Sequence, residues 1–210
     1  MVTRIRIKIC GITRPEDAID AAASGVDAIG LVFYKDSPRY IDLEAARAVV
    51  NAVPPFITKV GVFVEPDAAE VQSILENVSL DVLQFHGDES PELCRRFGRS
   101  YIKAVRMRED IDLLAYARTY HDASALLLDT HVAGIPGGTG LVFDWDMIPE
   151  ELDKPIILAG GLNSGNVGEA VLRINPYAVD VSGGVEAEKG IKNKQKIEAF
   201  INAVYNPPNS

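Results

Sequence analysis

The sequence predicts an α/β fold, a single (β/α)8 barrel, on three observations. Eight short runs are continuously apolar and β-branched, as strands buried on both faces of a parallel sheet are. Segments of helical periodicity separate them, and run starts recur about every 20 to 30 residues, the size of one compact βα unit. Two diglycine turns follow the last two runs, where barrels of this kind hold phosphate.

The runs fall at residues 5–10, 28–33, 58–64, 82–85, 101–105, 125–129, 155–159 and 178–181. The first helix is expected over 15–24, with Thr13 as its cap, Glu16 three residues on and Ser24-Gly25 as its stop. The second, 43–52, follows Asp42 and ends before Pro54-Pro55. Further helices are expected over 67–77, 91–97, 111–120, 166–174 and 193–205. After the sixth run, Gly134, Gly137, Gly138 and Gly140 predict a long loop, with only a short helical piece at 145–148.

No linker or composition shift divides the 210 residues, and 47% hydrophobic residues suffice for one large core. The barrel is expected over 1–205, with 206–210 as a disordered tail. An open doubly wound sheet is the competing fold, but the first strand-to-helix turn, Cys10-Gly11-Ile12-Thr13, lacks the glycine-rich dinucleotide fingerprint.

A net charge of −9 with no Lys/Arg-rich stripe argues against binding nucleic acid, while leaving room for a small anion held by local dipoles. The two cysteines, Cys10 and Cys94, give no disulfide framework and are expected reduced. His86, His121 and His131 show no paired ligand spacing, so no metal is expected. No apolar stretch has the length of a membrane helix or signal peptide, so no membrane association and a cytoplasmic location are expected.

A barrel gathers its strand-end residues at one mouth. There the sequence places Cys10 after strand one, Arg39 on the loop after strand two, Gln84 and His86 at strand four, and Lys103 and Arg106 at strand five. Asp129 ends strand six and Asp180 lies on strand eight. Cys10 reads either as a buried structural cysteine or as a thiolate at a strand-to-loop junction. Asp129, ending an apolar run, reads equally as a proton-donating acid or as a turn cap. His86 reads as a turn cap or a ligand contact, and Arg39 as a partner of Asp36 or Asp42 or as the receptor for a planar carboxylate. Cys94 reads as helix core and Trp145 as packing. The turns at Gly160-Gly161 and Gly183-Gly184 offer exposed backbone N–H groups to a phosphate.

Taken in order, Lys8-Ile9-Cys10-Gly11-Ile12-Thr13, Ser37-Pro38-Arg39, Gly61-Val62-Phe63, Leu83-Gln84-Phe85-His86-Gly87, Leu128-Asp129-Thr130, Gly138-Thr139-Gly140, Leu158-Ala159-Gly160-Gly161-Leu162 and Asp180-Val181-Ser182 through Gly184-Val185-Glu186 resemble the motifs of the phosphoribosylanthranilate isomerase family. The resemblance spans nearly the whole chain. It implies a TIM barrel of tryptophan biosynthesis that carries out a cofactor-free Amadori rearrangement. By that pattern Asp129 is the general acid and Cys10 the general base. Arg39 holds the anthranilate carboxylate, Gln84, His86 and Asp180 line the cavity, and Gly160, Gly161, Gly183 and Gly184 hold the phosphate. Gly183 departs from the pattern, which more often has serine; the backbone donor is kept. The implied partner is a small phosphosugar, in a monomer or homodimer. The competing functions are another phosphosugar barrel enzyme, for which catalytic lysine and glutamate or paired aspartates would be expected, and a noncatalytic phosphosugar-binding protein.

Overall fold

A computed structural model describes residues 4–130 and 143–207. Strands β1 (Arg6–Cys10), β2 (Ala28–Val32), β3 (Thr58–Phe63), β4 (Val82–Phe85), β5 (Tyr101–Met107), β6 (Ala125–Thr130), β7 (Ile156–Leu158) and β8 (Ala178–Val181) pair in sequence order. Every pairing is parallel, and β8 returns to β1, closing the barrel. Strand alternation sorts the residues into two layers. Inward, Ile102, Ala104, Ala125, Leu127, Ile157, Ala159 and Ala178 make a small cluster that fills the lower barrel. Outward, the larger side chains meet the helices, among them an aromatic row in which Phe33 stacks on Phe63 at 5.5 Å and Phe85 contacts both Phe63 and Tyr101.

The surrounding helices are α1 (Pro15–Ala23), α2 (Leu43–Ala52), α3 (Ala68–Asn77), α4 (Pro91–Arg95), α5 (Leu113–Thr119), α6 (Val167–Ile174) and α7 (Lys194–Tyr205). Side-chain caps start four of them: Asp42, Ser90, Asp112 and Asn193 accept from the N–H three residues on, satisfying a donor the helix itself leaves free. Asn175, in the left-handed region, ends α6.

One expected helix cap is corrected. Thr13 does not cap α1, whose first turn is set by Arg14 and Pro15; its hydroxyl instead donates to the Gly190 carbonyl at 2.6 Å. The piece near Trp145 is a single 3-10 turn, Trp145–Met147. Beyond β8, a second 3-10 turn (Gly183–Val185) leads into an unforeseen hairpin, β9 (Glu186–Glu188) and β10 (Ile191–Lys192). The hairpin is fastened to α1, because the Lys192 N–H donates to buried Asp17. Among the described residues, no helix is long and apolar enough to cross a membrane. His131, the loop glycines Gly134, Gly137, Gly138 and Gly140, and the last three residues of the expected tail lie outside the described residues.

Candidate active site

β1 ends in the thiol, and alternation puts Lys8 on the same inward face two residues below it. Across the β1–β8 ladder Lys8 pairs in register with Asp180, and its ammonium donates to Asp180 Oδ1 at 2.9 Å, both side chains being buried. Burial alone would lower Lys8, but Asp180 and Cys10 outweigh it and hold the ammonium above its ordinary range. For half-buried Cys10, burial is the largest influence and pushes the thiol up; Lys8 and Lys192 oppose it and Asp180 reinforces it.

Asp129 projects into the mouth from β6, on the inward face it shares with Leu127. Its Oδ2 lies 3.0 Å from His86 Nε2, and His86 Nδ1 lies 2.9 Å from Gln84 Nε2. The imidazole thus bridges the Gln84 amide and the Asp129 carboxyl, its tautomer setting which partner donates at each ring nitrogen. Gln84 is fully buried beneath His86, at the floor of the site. An imidazole, rather than the apolar wall expected from the preceding leucines, is therefore what the acid meets.

Arg39 is bound neither to Asp36 nor to Asp42. Its Nε and Nη2 donate to the two oxygens of Glu186 at 2.7 and 2.8 Å, a bidentate pair that also takes the Lys192 ammonium at 2.9 Å. Burial would raise the Glu186 carboxyl, but Arg39 and Lys192 outweigh it and bring it to about 2. Two of the five guanidinium N–H groups are used in this way, and the others have no acceptor among the described residues. Gly11 makes the crossing possible: its φ of +73° suits glycine, and a Cβ there would stand 2.5 Å from Arg39 Cδ.

The two glycine turns adjoin. A Cβ on Gly184 would overlap the Leu162 carbonyl and come within 3.1 Å of Asn163, so the turn after β8 rests on the turn after β7. Gly160, at φ +79°, backs onto the acid, where a Cβ would lie 2.8 Å from Asp129 Oδ1 and overlap Thr130. A Cβ on Gly183 would be 3.3 Å from Arg39 Nη2, which places this turn beside the guanidinium.

Of the residues expected at the mouth, Cys10, Gln84, His86, Asp129 and Asp180 converge, Arg39 reaches it on its loop, and exposed Arg106 touches its rim through the His86 carbonyl. Lys103 does not. It alternates with inward Ile102 and Ala104, so it points into the helix layer, where its buried ammonium meets Glu89 at 3.0 Å and the Gly87 carbonyl at 2.6 Å. Cys94 and Trp145 are buried. Lys8, Glu186 and Lys192 were not singled out from sequence. Strand parity with Cys10 could have exposed Lys8; nothing local marks the other two. A cavity of about 620 Å³ between the Trp145–Lys154 segment and Arg173–Tyr177 opens at the opposite end of the barrel, away from all these groups.

Residues 7–203 match the family model described as N-(5'phosphoribosyl)anthranilate (PRA) isomerase. A relative from Pseudomonas putida (strain W619), an N-(5'-phosphoribosyl)anthranilate isomerase, is 58% identical over 97% of this chain and 98% of its own length. The crystal structure of phosphoribosyl anthranilate isomerase from Thermotoga maritima superposes with a TM-score of 0.88 at 40% identity, covering 96% of this chain and 98% of that one. Monomers generated from that dimeric enzyme give a TM-score of 0.84 at 37% identity, over 96% and 99% of the two chains. A solved isomerase in complex with reduced 1-(o-carboxyphenylamino)-1-deoxyribulose 5-phosphate gives 0.85 at 40% identity, over 96% and 98%.

Proposed function

The chain belongs to the N-(5'-phosphoribosyl)anthranilate isomerase family, and we propose that Cys10 and Asp129 are the base and acid with which it performs the family's isomerisation in tryptophan biosynthesis. The substrate, N-(5-phosphoribosyl)anthranilate, carries a phosphate at one end and an aromatic carboxylate at the other. The glycine turns at Gly160-Gly161 and Gly183-Gly184 receive the phosphate through backbone N–H groups. Arg39, oriented by Glu186, receives the carboxylate with its remaining donors. Fixing both ends presents the ribose carbons between the two reacting side chains and lowers the entropic cost of the reaction.

Asp129 protonates the ring oxygen as the furanose opens, leaving a protonated Schiff base. Cys10 thiolate then removes the C2′ proton. The electrons of that C–H bond form the C1′–C2′ double bond, the iminium nitrogen takes up the displaced pair, and the enolamine tautomerises to the ketone. Each step moves a proton between a side chain and the substrate, so no cofactor is called for. The observation that carries this reading is the placement of Cys10 and Asp129 on the inward faces of β1 and β6, three strands apart around one mouth. His86 and Gln84 orient the acid, and Asp180 lines the floor. A monomer or a homodimer is proposed for the assembly, the second being how the Thermotoga relative is described; sedimentation velocity distinguishes them.

The test is loss of substrate fluorescence in Cys10→Ser and Asp129→Asn, each expected to lower kcat about 10²- to 10⁴-fold while product analogues still bind. Near-normal turnover in either variant would remove that residue from its role.

A further inference from the structure

The acid–base scheme leaves Lys8 without a task, although it is a buried cation directly below the base. Cys10 lies opposite Gly30 in the β1–β2 register. A Cβ on Gly30 would stand 2.8 Å from Cys10 Sγ and 3.2 Å from Lys8 Cε, so the sulfur and the end of the lysine chain border the same space. The ammonium holds Asp180 at 2.9 Å. One buried cation thus neighbours both a carboxylate and a thiol.

Four charged groups act electrostatically on the sulfur: Lys8 from β1, Asp180 from β8, Lys192 from β10 and Arg39 from the loop after β2. Arg39 and Lys192 share one carboxylate, Glu186, at 2.7 and 2.9 Å, whereas Lys8 is paired with Asp180. Lys8 is the cation whose carboxylate partner belongs to the same strand-end cluster as the sulfur. Burial gives Cys10 the high proton affinity that carbon deprotonation needs, yet it also depletes the thiolate. An adjacent ammonium restores part of that thiolate.

We propose that Lys8 is a positioning residue that sustains the Cys10 thiolate, and that Asp180 sets how much of its charge the sulfur receives. The proposal rests on Cys10 being the general base. Before substrate binds, the thiol gives its proton to solvent and the anion is held by Lys8. When the thiolate takes the C2′ proton it becomes neutral, and the ammonium is left to Asp180 alone.

The two members of the Lys8–Asp180 pair then act on the sulfur with opposite sign. The rate of Cys10 alkylation by neutral iodoacetamide follows the thiolate fraction, and peptide mass mapping separates Cys10 from buried Cys94. Measured against pH in the full chain, the midpoint should rise by about one pH unit or more in Lys8→Met, a tenfold loss of thiolate below the midpoint, and should fall in Asp180→Asn. A merely structural pair would shift both variants the same way. An unmoved midpoint in Lys8→Met, or shifts of one sign in both, would overturn the proposal. Should Lys8→Met fail to fold with Asp180 left unpaired, the Lys8→Met/Asp180→Asn double variant decides: its midpoint must lie above that of Asp180→Asn, and equality refutes the role. Full turnover in Cys10→Ser would instead remove the base assignment while leaving the effect of Lys8 on the thiol to be read from the same titrations.

Discussion

His86 Nε2 lies 3.0 Å from Asp129 Oδ2, a contact that spans from β4 to β6 over the intervening β5. With Gln84 holding the other ring nitrogen, the Asp129 carboxyl is fixed at a second point besides its own backbone. His86→Asn should therefore lower kcat up to about 100-fold, the usual effect of misplacing a reacting group by about an ångström, with a smaller change in KM. Steady-state kinetics on the purified variant check this, and an unchanged kcat would refute the orienting role.

On the proposed reading, the bidentate Arg39–Glu186 pair serves binding rather than chemistry. Arg39→Ala should raise KM about 10- to 100-fold, the range for losing hydrogen bonds to a charged group, and leave kcat much less affected. Glu186→Gln should have a smaller effect of the same kind, because the guanidinium stays but loses its orientation. Equal losses of kcat in both variants would place Arg39 in the chemical step instead.

Glu186 also gives the fold an acid limit. Its carboxyl is held at about 2, against an ordinary value of 4.5, by Arg39 and Lys192 acting against burial. A carboxylate depressed in this way stabilises the folded state above pH 4.5, and the contribution is lost as the pH falls from there through about 2. The drop corresponds to on the order of 3 kcal/mol. Burial draws the partner Lys192 downward as well, despite Glu186, so the cluster as a whole is worth less than the carboxylate alone. Urea unfolding should show stability declining between pH 4.5 and 2 more steeply in the wild type than in Glu186→Gln.

The Lys103–Glu89 pair is structural and fully buried. Lys103→Met leaves Glu89 as an uncompensated charge in the helix layer and should cost about 3–5 kcal/mol of stability. Chemical denaturation reads the cost directly. At a temperature where the variant remains folded, kcat should stay near the wild-type value, since Lys103 faces away from the mouth.

The strands were legible because each is a local pattern, an apolar run bounded by turn residues, and burial on both faces is written into consecutive side chains. One strand end and one cap moved for tertiary reasons. β5 runs on to Met107 because β6 offers Thr130 as its partner, and the expected Thr13 cap was diverted to Gly190 on the hairpin. That hairpin was not legible: Glu186–Glu188 and Ile191–Lys192 are too short and polar to show alternation, and they are held by contacts with α1 and Arg39. Lys103 was misplaced because β5 is buried on both sides, so composition alone does not say which residues turn inward.

By itself, the sequence determined the barrel and most of the polar residues at its strand ends, because periodicity and turn chemistry act over a few residues. Only the closed structure decided which groups meet. Lys8 finds Asp180 across 172 positions because β8 returns beside β1, and Arg39 finds Glu186 across 147 because the hairpin after β8 meets the loop after β2. These pairings depend on barrel register, a property of the assembled sheet that no single segment carries.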